Sequence, residues 1–154
     1  CQVCVEAMPP PPRCKFFAWL VLQNRICTSG RLIRRGWPNC GLCPLCKQAQ
    51  ESAAHLLFQC RFTLRIWNDI LPWLGMHHIS TTTWTVSASV KEWWDSNLQT
   101  RLGSPKALAS LMMLISWEVW SESNARVFRN VAVPSVATRS SMRCRFGLWR
   151  VPST

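Results

Sequence analysis

Three cysteines and one histidine stand close together in the chain, reading Cys43-Pro44-Leu45-Cys46 and then His55-Leu56-Leu57-Phe58-Gln59-Cys60. Thiolates and an imidazole are the donors that a closed tetrahedral zinc site takes. A Cys-x-x-Cys pair forms the usual knuckle, and Gly41 just before it can take the tight backbone turn. The second pair constrains the fold more. Residues five apart on an unbroken α-helix point about 140° away from each other. His55 and Cys60 can meet one metal only if the helix holding His55 ends near Phe58 or Gln59. Cys60 then sits on the turn before a second helix. Two plainer readings compete: small buried cysteines beside a core histidine, or a Cys43–Cys46 disulfide. The disulfide leaves His55 and Cys60 unexplained.

With all four positions filled by protein, such a site is structural, because no place is left for water or substrate. Its binding energy, on the order of 10 kcal/mol, is folding energy. The short helices that surround it need that support, since they are marginal alone.

The elements that must position these ligands read as helices throughout. The fold expected is all-α: short helices around one zinc knuckle (Cys43, Cys46, His55, Cys60), followed by a Trp-rich helical extension. Residues 1–12 form a Pro-rich leader, in which Pro9 to Pro12 must be extended. Residues 13–74 form the zinc-binding module, and residues 75–154 a linker and a basic helical extension. Within the module, Cys14 to Ile26 suits a helix with one buried face. A short helix capped by Thr28 or Ser29 places Leu32 and Ile33 inward and stops at Gly36. Ser52 is a suitable cap for the helix of His55. A further helix runs from Arg61 to Leu71 and ends before Pro72, with Phe62, Ile66 and Trp67 near one face. Residues 75–85 read as a loop, in which the adjacent His77 and His78 are solvated. Val86 to Asn97 and a helix opening at Ser104-Pro105 follow. Ala107 to Trp120 holds eleven apolar residues of fourteen. That run is too short for a bilayer, which needs about 20, and suits a buried helix. Glu118 and Glu122 are solvated or paired to Arg. Residues 135–150 form a last basic helix carrying Met142, Phe146 and Trp149.

Composition narrows the function. The 154 residues carry a net charge of +11, ten Trp and 48% hydrophobic residues, too apolar for a disordered chain. From Asn124 onward there are six Arg and no acid. That field favours polyanions, nucleic acid first among them. Nine cysteines without a recognisable signal peptide fit a reducing, intracellular compartment. Cys1 and Cys4 form a second Cys-x-x-Cys with no partner pair, and Cys14, Cys27, Cys40 and Cys144 read as structural or incidental. An enzyme is not expected. Two-metal phosphoryl chemistry needs clustered carboxylates, and the chain has two Asp, Asp69 and Asp95, and no Tyr. Binding remains. Arg31, Arg34, Arg35, Arg61 and Arg65 flank the knuckle and can track phosphates, while Trp37, in a loop beside Gly36 and Pro38, can stack on an unpaired base. Trp67 reads as core.

These residues also carry a resemblance. Lys15-Phe16-Phe17-Ala18-Trp19-Leu20, Arg31-Leu32-Ile33-Arg34-Arg35-Gly36-Trp37, the metal motif and Arg65-Ile66-Trp67 resemble the plant reverse-transcriptase zinc-binding domain of retrotransposons lacking long terminal repeats. Trp117-Glu118-Val119-Trp120 through Asn124-Ala125-Arg126-Val127-Phe128 resembles the Trp-rich helix that often follows it. Arg61 departs from the pattern, in which Pro often follows the last cysteine, so the helix break needs another cause. The start at Cys1, without Met, fits a fragment. The resemblance implies one structural Zn2+, a place downstream of the polymerase, and nucleic acid or the polymerase domain as partner. A relic of a decayed element is the remaining reading.

Overall fold

The structure, a computed structural model, describes residues 10–99 and 103–147. Six α-helices are present among them: α1 (Pro12–Leu22), α2 (Ser29–Arg34), α3 (Arg61–Trp73), α4 (Val90–Leu98), α5 (Pro105–Phe128) and α6 (Ser135–Gly147). A π turn spans His55–Gln59 and a 3-10 turn Trp84–Val86. No strand forms among the described residues, where one antiparallel bridge joins Leu42 to Gln50. The all-α reading holds. No helix among the described residues is long and apolar enough to cross a membrane.

Local chemistry explains most boundaries. Ser104 Oγ accepts from the Ala107 amide at 3.4 Å and Pro105 opens α5, the cap-then-Pro start expected. Ser89 caps α4 in the same way, accepting from the Glu92 amide at 3.1 Å. Both α2 and α3 close in Schellman turns. Gly36 (φ 80°) and Gly75 (φ 77°) supply the left-handed residue, and the Trp37 and Met76 amides return to the carbonyls of Leu32 and Leu71.

Several boundaries differ from the sequence reading. Pro12 is helical, not extended: it occupies the first position of α1, where its missing N–H has no intrahelical partner to lose. The same helix ends at Leu22, ahead of Asn24 in a left-handed conformation (φ 52°), so Ile26 is buried from a loop. Pro72 lies inside α3, whose end is set by Gly75 two residues beyond the helix. Ile33 points outward, 48% exposed, and the small Ser29 takes the inward place. Val86 belongs to the 3-10 turn and α4 begins only at Val90. The 75–85 segment is not a plain loop, because Trp84 is buried there. Pro9 of the expected polyproline run, the second Cys-x-x-Cys and Trp149 lie outside the described residues, as does the side chain of Phe146.

The core lies beneath the π turn. Leu56, Leu57 and Phe58 are wholly buried. Phe58 stacks on Trp93 at 4.7 Å, and Trp67, Trp84 and Trp93 meet edge to face at 5.1–5.9 Å. Such pairs add about 0.5–1.5 kcal/mol each beyond area burial. On the other side, α5 packs against α1, with Phe17 against Trp117 and Trp120 at 5.5 and 4.9 Å. The Trp120 indole donates to the Cys27 carbonyl at 3.3 Å. Met142 of α6 is buried as well, and Arg139 and Arg143 of that helix pair with Asp69 of α3.

Candidate metal centre

Cys43, Cys46, His55 and Cys60 come together, with one donor atom from each lying within 4.8 Å of all the others. Two elements deliver them. The first is the knuckle, shaped by Gly41 (φ 72°) before it and Lys47 (φ 58°) after it. The Cys43 amide donates to the Ala49 carbonyl at 2.8 Å and the Lys47 amide to the Cys43 carbonyl at 2.9 Å. The second is the π turn. Ser52 Oγ accepts from the His55 amide at 3.0 Å and starts the segment. The Cys60 amide then reaches back five residues to the His55 carbonyl at 2.7 Å. Wider π winding carries His55 and Cys60 toward the same side, which α winding would not. Cys60 is itself extended (φ −66°, ψ 134°) and begins α3.

No proline makes this break. Skipping one hydrogen-bond register instead frees two carbonyls, and α3 supplies donors for both. Thr63 Oγ1 donates to the Leu56 carbonyl at 2.7 Å, and the Trp67 indole to the Leu57 carbonyl at 3.0 Å. All four residues are buried, so each bond satisfies a group that water cannot reach.

The donor set fits zinc. In a tetrahedron with Zn–S bonds of about 2.3 Å, neighbouring sulfurs stand about 3.8 Å apart. Cys43 Sγ and Cys60 Sγ are 3.8 Å apart. Cys46 Sγ and His55 Nε2, at 3.3 Å, are slightly closer than the edge of about 3.5 Å for a sulfur and a nitrogen. Crowding of the donors shifts three of them. The Cys60 thiol is pushed down because the Cys43 thiol donates to it, and the Phe62 and Thr63 amides help. Cys43 is pushed up to about 12 by the same contact and by burial. His55 is raised above its ordinary value by Cys43 first and Cys46 next, against burial. The cluster could hold a single zinc ion.

Residues 3–67 match the family described as zinc-binding in reverse transcriptase. The resemblance carried by these residues therefore extends over that segment, which is similar to the zinc-binding part of reverse-transcriptase-type proteins. A curated Arabidopsis thaliana protein, provisionally named a ribonuclease H protein, is 28% identical over 126 residues. The alignment takes in 81% of this chain and 19% of that protein. The chain thus spans about a fifth of the curated relative it matches. No solved structure matches.

Around the matched segment the basic residues separate into groups. Arg61 and Arg65, one turn apart on α3, are exposed and line a cavity of about 240 Å³ with Leu45, Cys46, Gln48 and Phe62. Arg61 donates to Gln48 Oε1 at 3.0 Å. Arg34 and Arg35 are exposed at the end of α2, whereas Arg31 is half-buried and donates to the Asn24 carbonyl. Trp37 is 50% exposed and meets Phe128 edge-on at 5.5 Å. Trp67 is core. His77 and His78 are exposed and apart from the cluster.

Reading the sequence missed Arg126 and Glu51. Arg126 of α5 donates to the Pro44 and Leu45 carbonyls inside the knuckle at 3.2 and 3.3 Å. Glu51 is buried, accepting from the Ser29 amide and from Ser123 Oγ, the latter at 3.0 Å. A basic residue inside the Trp-rich helix and an acid just after the knuckle were visible signals. Neither shows its partner in sequence.

Proposed function

We propose that Cys43, Cys46, His55 and Cys60 bind one structural Zn2+, and that the module of residues 13–74, backed by the helices of 75–154, holds nucleic acid for a reverse-transcriptase-type parent. The observation that carries the second part is the cavity beside Cys46. Arg61 and Arg65 reach it from one face of α3, Gln48 adds an amide, and no acid lines it. A phosphate group fits that chemistry. Arg34 and Arg35 extend the cationic surface, and Trp37 offers a partly open ring for a base. The zinc supplies rigidity: it fixes the knuckle against the start of α3, so that the two arginines keep their spacing. Catalysis, on this reading, belongs to other parts of the parent protein.

The test is titration of zinc-loaded protein with single-stranded RNA and duplex DNA across a salt series. Each phosphate contact contributes about 0.7 to 0.9 to the slope of log K against log salt. An Arg61→Gln/Arg65→Gln variant is expected to lose about two contacts from that slope while keeping its zinc. An unchanged slope would remove this surface from the reading.

One observation favours a second reading, a protein partner. Phe16 and Trp19 on α1 are 62% and 50% exposed and stack at 6.0 Å, facing away from the core. The polymerase domain of the parent is the partner to try. Binding of that domain, lost in Phe16→Ser/Trp19→Ser protein that still holds zinc, would support it.

A further inference from the structure

The zinc-binding match ends at residue 67, yet the guanidinium of Arg126, far along the chain, closes over the knuckle. All three of its nitrogens are engaged. Nε donates to Glu122 at 2.8 Å, one terminal nitrogen to the Pro44 and Leu45 carbonyls, and the other to the Val133 carbonyl at 2.8 Å. Glu122 also accepts from the Val133 amide at 2.9 Å, which fixes the chain as it leaves α5. The Arg126 and Glu122 side chains are 15% and 10% exposed, so this is a largely desolvated pair. The guanidinium also lies over the Phe62 ring at 4.9 Å. Pro44 and Leu45 sit between Cys43 and Cys46, and Phe62 stands two residues after Cys60 in the first turn of α3. One side chain therefore touches the backbone between the first two ligands and a ring beside the last.

We propose that Arg126, oriented by Glu122, is a positioning residue of the metal centre, so that metal binding and the docking of α5 form one cooperative unit extending well past the matched segment. The inference rests on the reading that Cys43, Cys46, His55 and Cys60 are the ligands. A planar fork is needed to hold two knuckle carbonyls, Glu122 and Val133 together, and a lysine ammonium cannot reproduce it. Groups in this outer position are worth about 10- to 100-fold in metal affinity. Coupling is reciprocal, so metal must tighten α5 to the same degree that α5 tightens metal.

The experiment uses the full chain, with chelator competition for zinc and the visible absorption of the Co2+-loaded protein. Arg126→Met is expected to weaken zinc binding by about 10- to 100-fold and to shift the Co2+ bands. Arg126→Lys should recover only part of the loss. Trp120→Phe is the control: it removes the indole bond to Cys27 from the same helix without touching the knuckle. Equal losses in Trp120→Phe and Arg126→Met, with unmoved Co2+ bands in both, would reduce α5 to bulk support and overturn the proposal. Tight zinc binding by Arg126→Met would overturn it too, leaving the metal site intact. Failure of the wild-type chain to bind zinc would overturn the ligand reading itself. Should Arg126→Met not fold, Glu122→Gln serves, with a several-fold loss expected and an unchanged affinity counting against the proposal.

Discussion

The Trp67 indole donates to the Leu57 carbonyl at 3.0 Å, so a wholly buried tryptophan of α3 covers a free carbonyl of the segment before it. With Thr63 on Leu56, it stabilises the π turn that brings His55 beside Cys60. Replacing Thr63 with Val keeps the shape and deletes the donor. A buried carbonyl without a partner costs about 1–3 kcal/mol. Urea denaturation of zinc-loaded Thr63→Val protein should show that loss, with faster zinc release. A stability equal to wild type would mean that the break holds without this bond.

Metal uptake should expel protons. Cys43, pushed up to about 12, is protonated at neutral pH, and the raised His55 holds its proton to higher pH than an ordinary histidine. A ligand must be deprotonated, so zinc affinity falls as pH falls, by about one decade per pH unit for each proton displaced. Calorimetry in buffers of different ionisation enthalpy counts those protons. A count of zero near pH 7 would contradict the arrangement of the four donors.

Glu51 joins the start of α2 to α5. Its buried carboxylate accepts from the Ser29 amide and Ser123 Oγ. Hydrogen bonds to a charged group are worth about 1.5–3 kcal/mol. Ser123→Ala should destabilise the chain within that range and Glu51→Ala by more, both read from thermal unfolding of the zinc-loaded form. An effect under about 0.5 kcal/mol for either, the level of an ordinary surface change, would show that the bridge is dispensable.

Helix α6 is held differently. Asp69 meets Arg143 at 2.8 Å and Arg139 at 3.7 Å, in a partly exposed setting. Ion pairs of that kind contribute about 0–1 kcal/mol. Asp69→Asn should speed amide exchange in α6 while zinc affinity stays the same. A loss of zinc in that variant would reveal a coupling between α6 and the centre that no contact among the described residues explains.

Much of this was legible from residue types. Gly36, Ser104-Pro105 and the cysteine spacing act through local chemistry, and each appears where it was expected. Gly75 also acts locally, but it overrode the proline rule by letting α3 run through Pro72. The requirement that the chain break before Cys60 was readable too, because helical geometry forbids the alternative. Its means were not: the donors on Leu56 and Leu57 come from seven and ten residues away, on the next helix. Arg126 was hidden for the same reason on a larger scale. Its knuckle partners are 81 and 82 residues distant, and no periodicity connects them. Ile33 turned outward because a six-residue helix can bury only one narrow side, and Ser29 fits it.

The π turn has a bearing on how the chain tolerates insertion and deletion. Between Cys46 and His55 the backbone turns through an exposed tip at Lys47 and Gln48, and added residues there can bulge into solvent. Between His55 and Cys60 there is no such slack. One residue more or fewer would rotate Cys60 away from the other sulfurs and misalign Thr63 and Trp67 with the carbonyls they cover. The first interval can drift in length, while the second behaves as a fixed ruler.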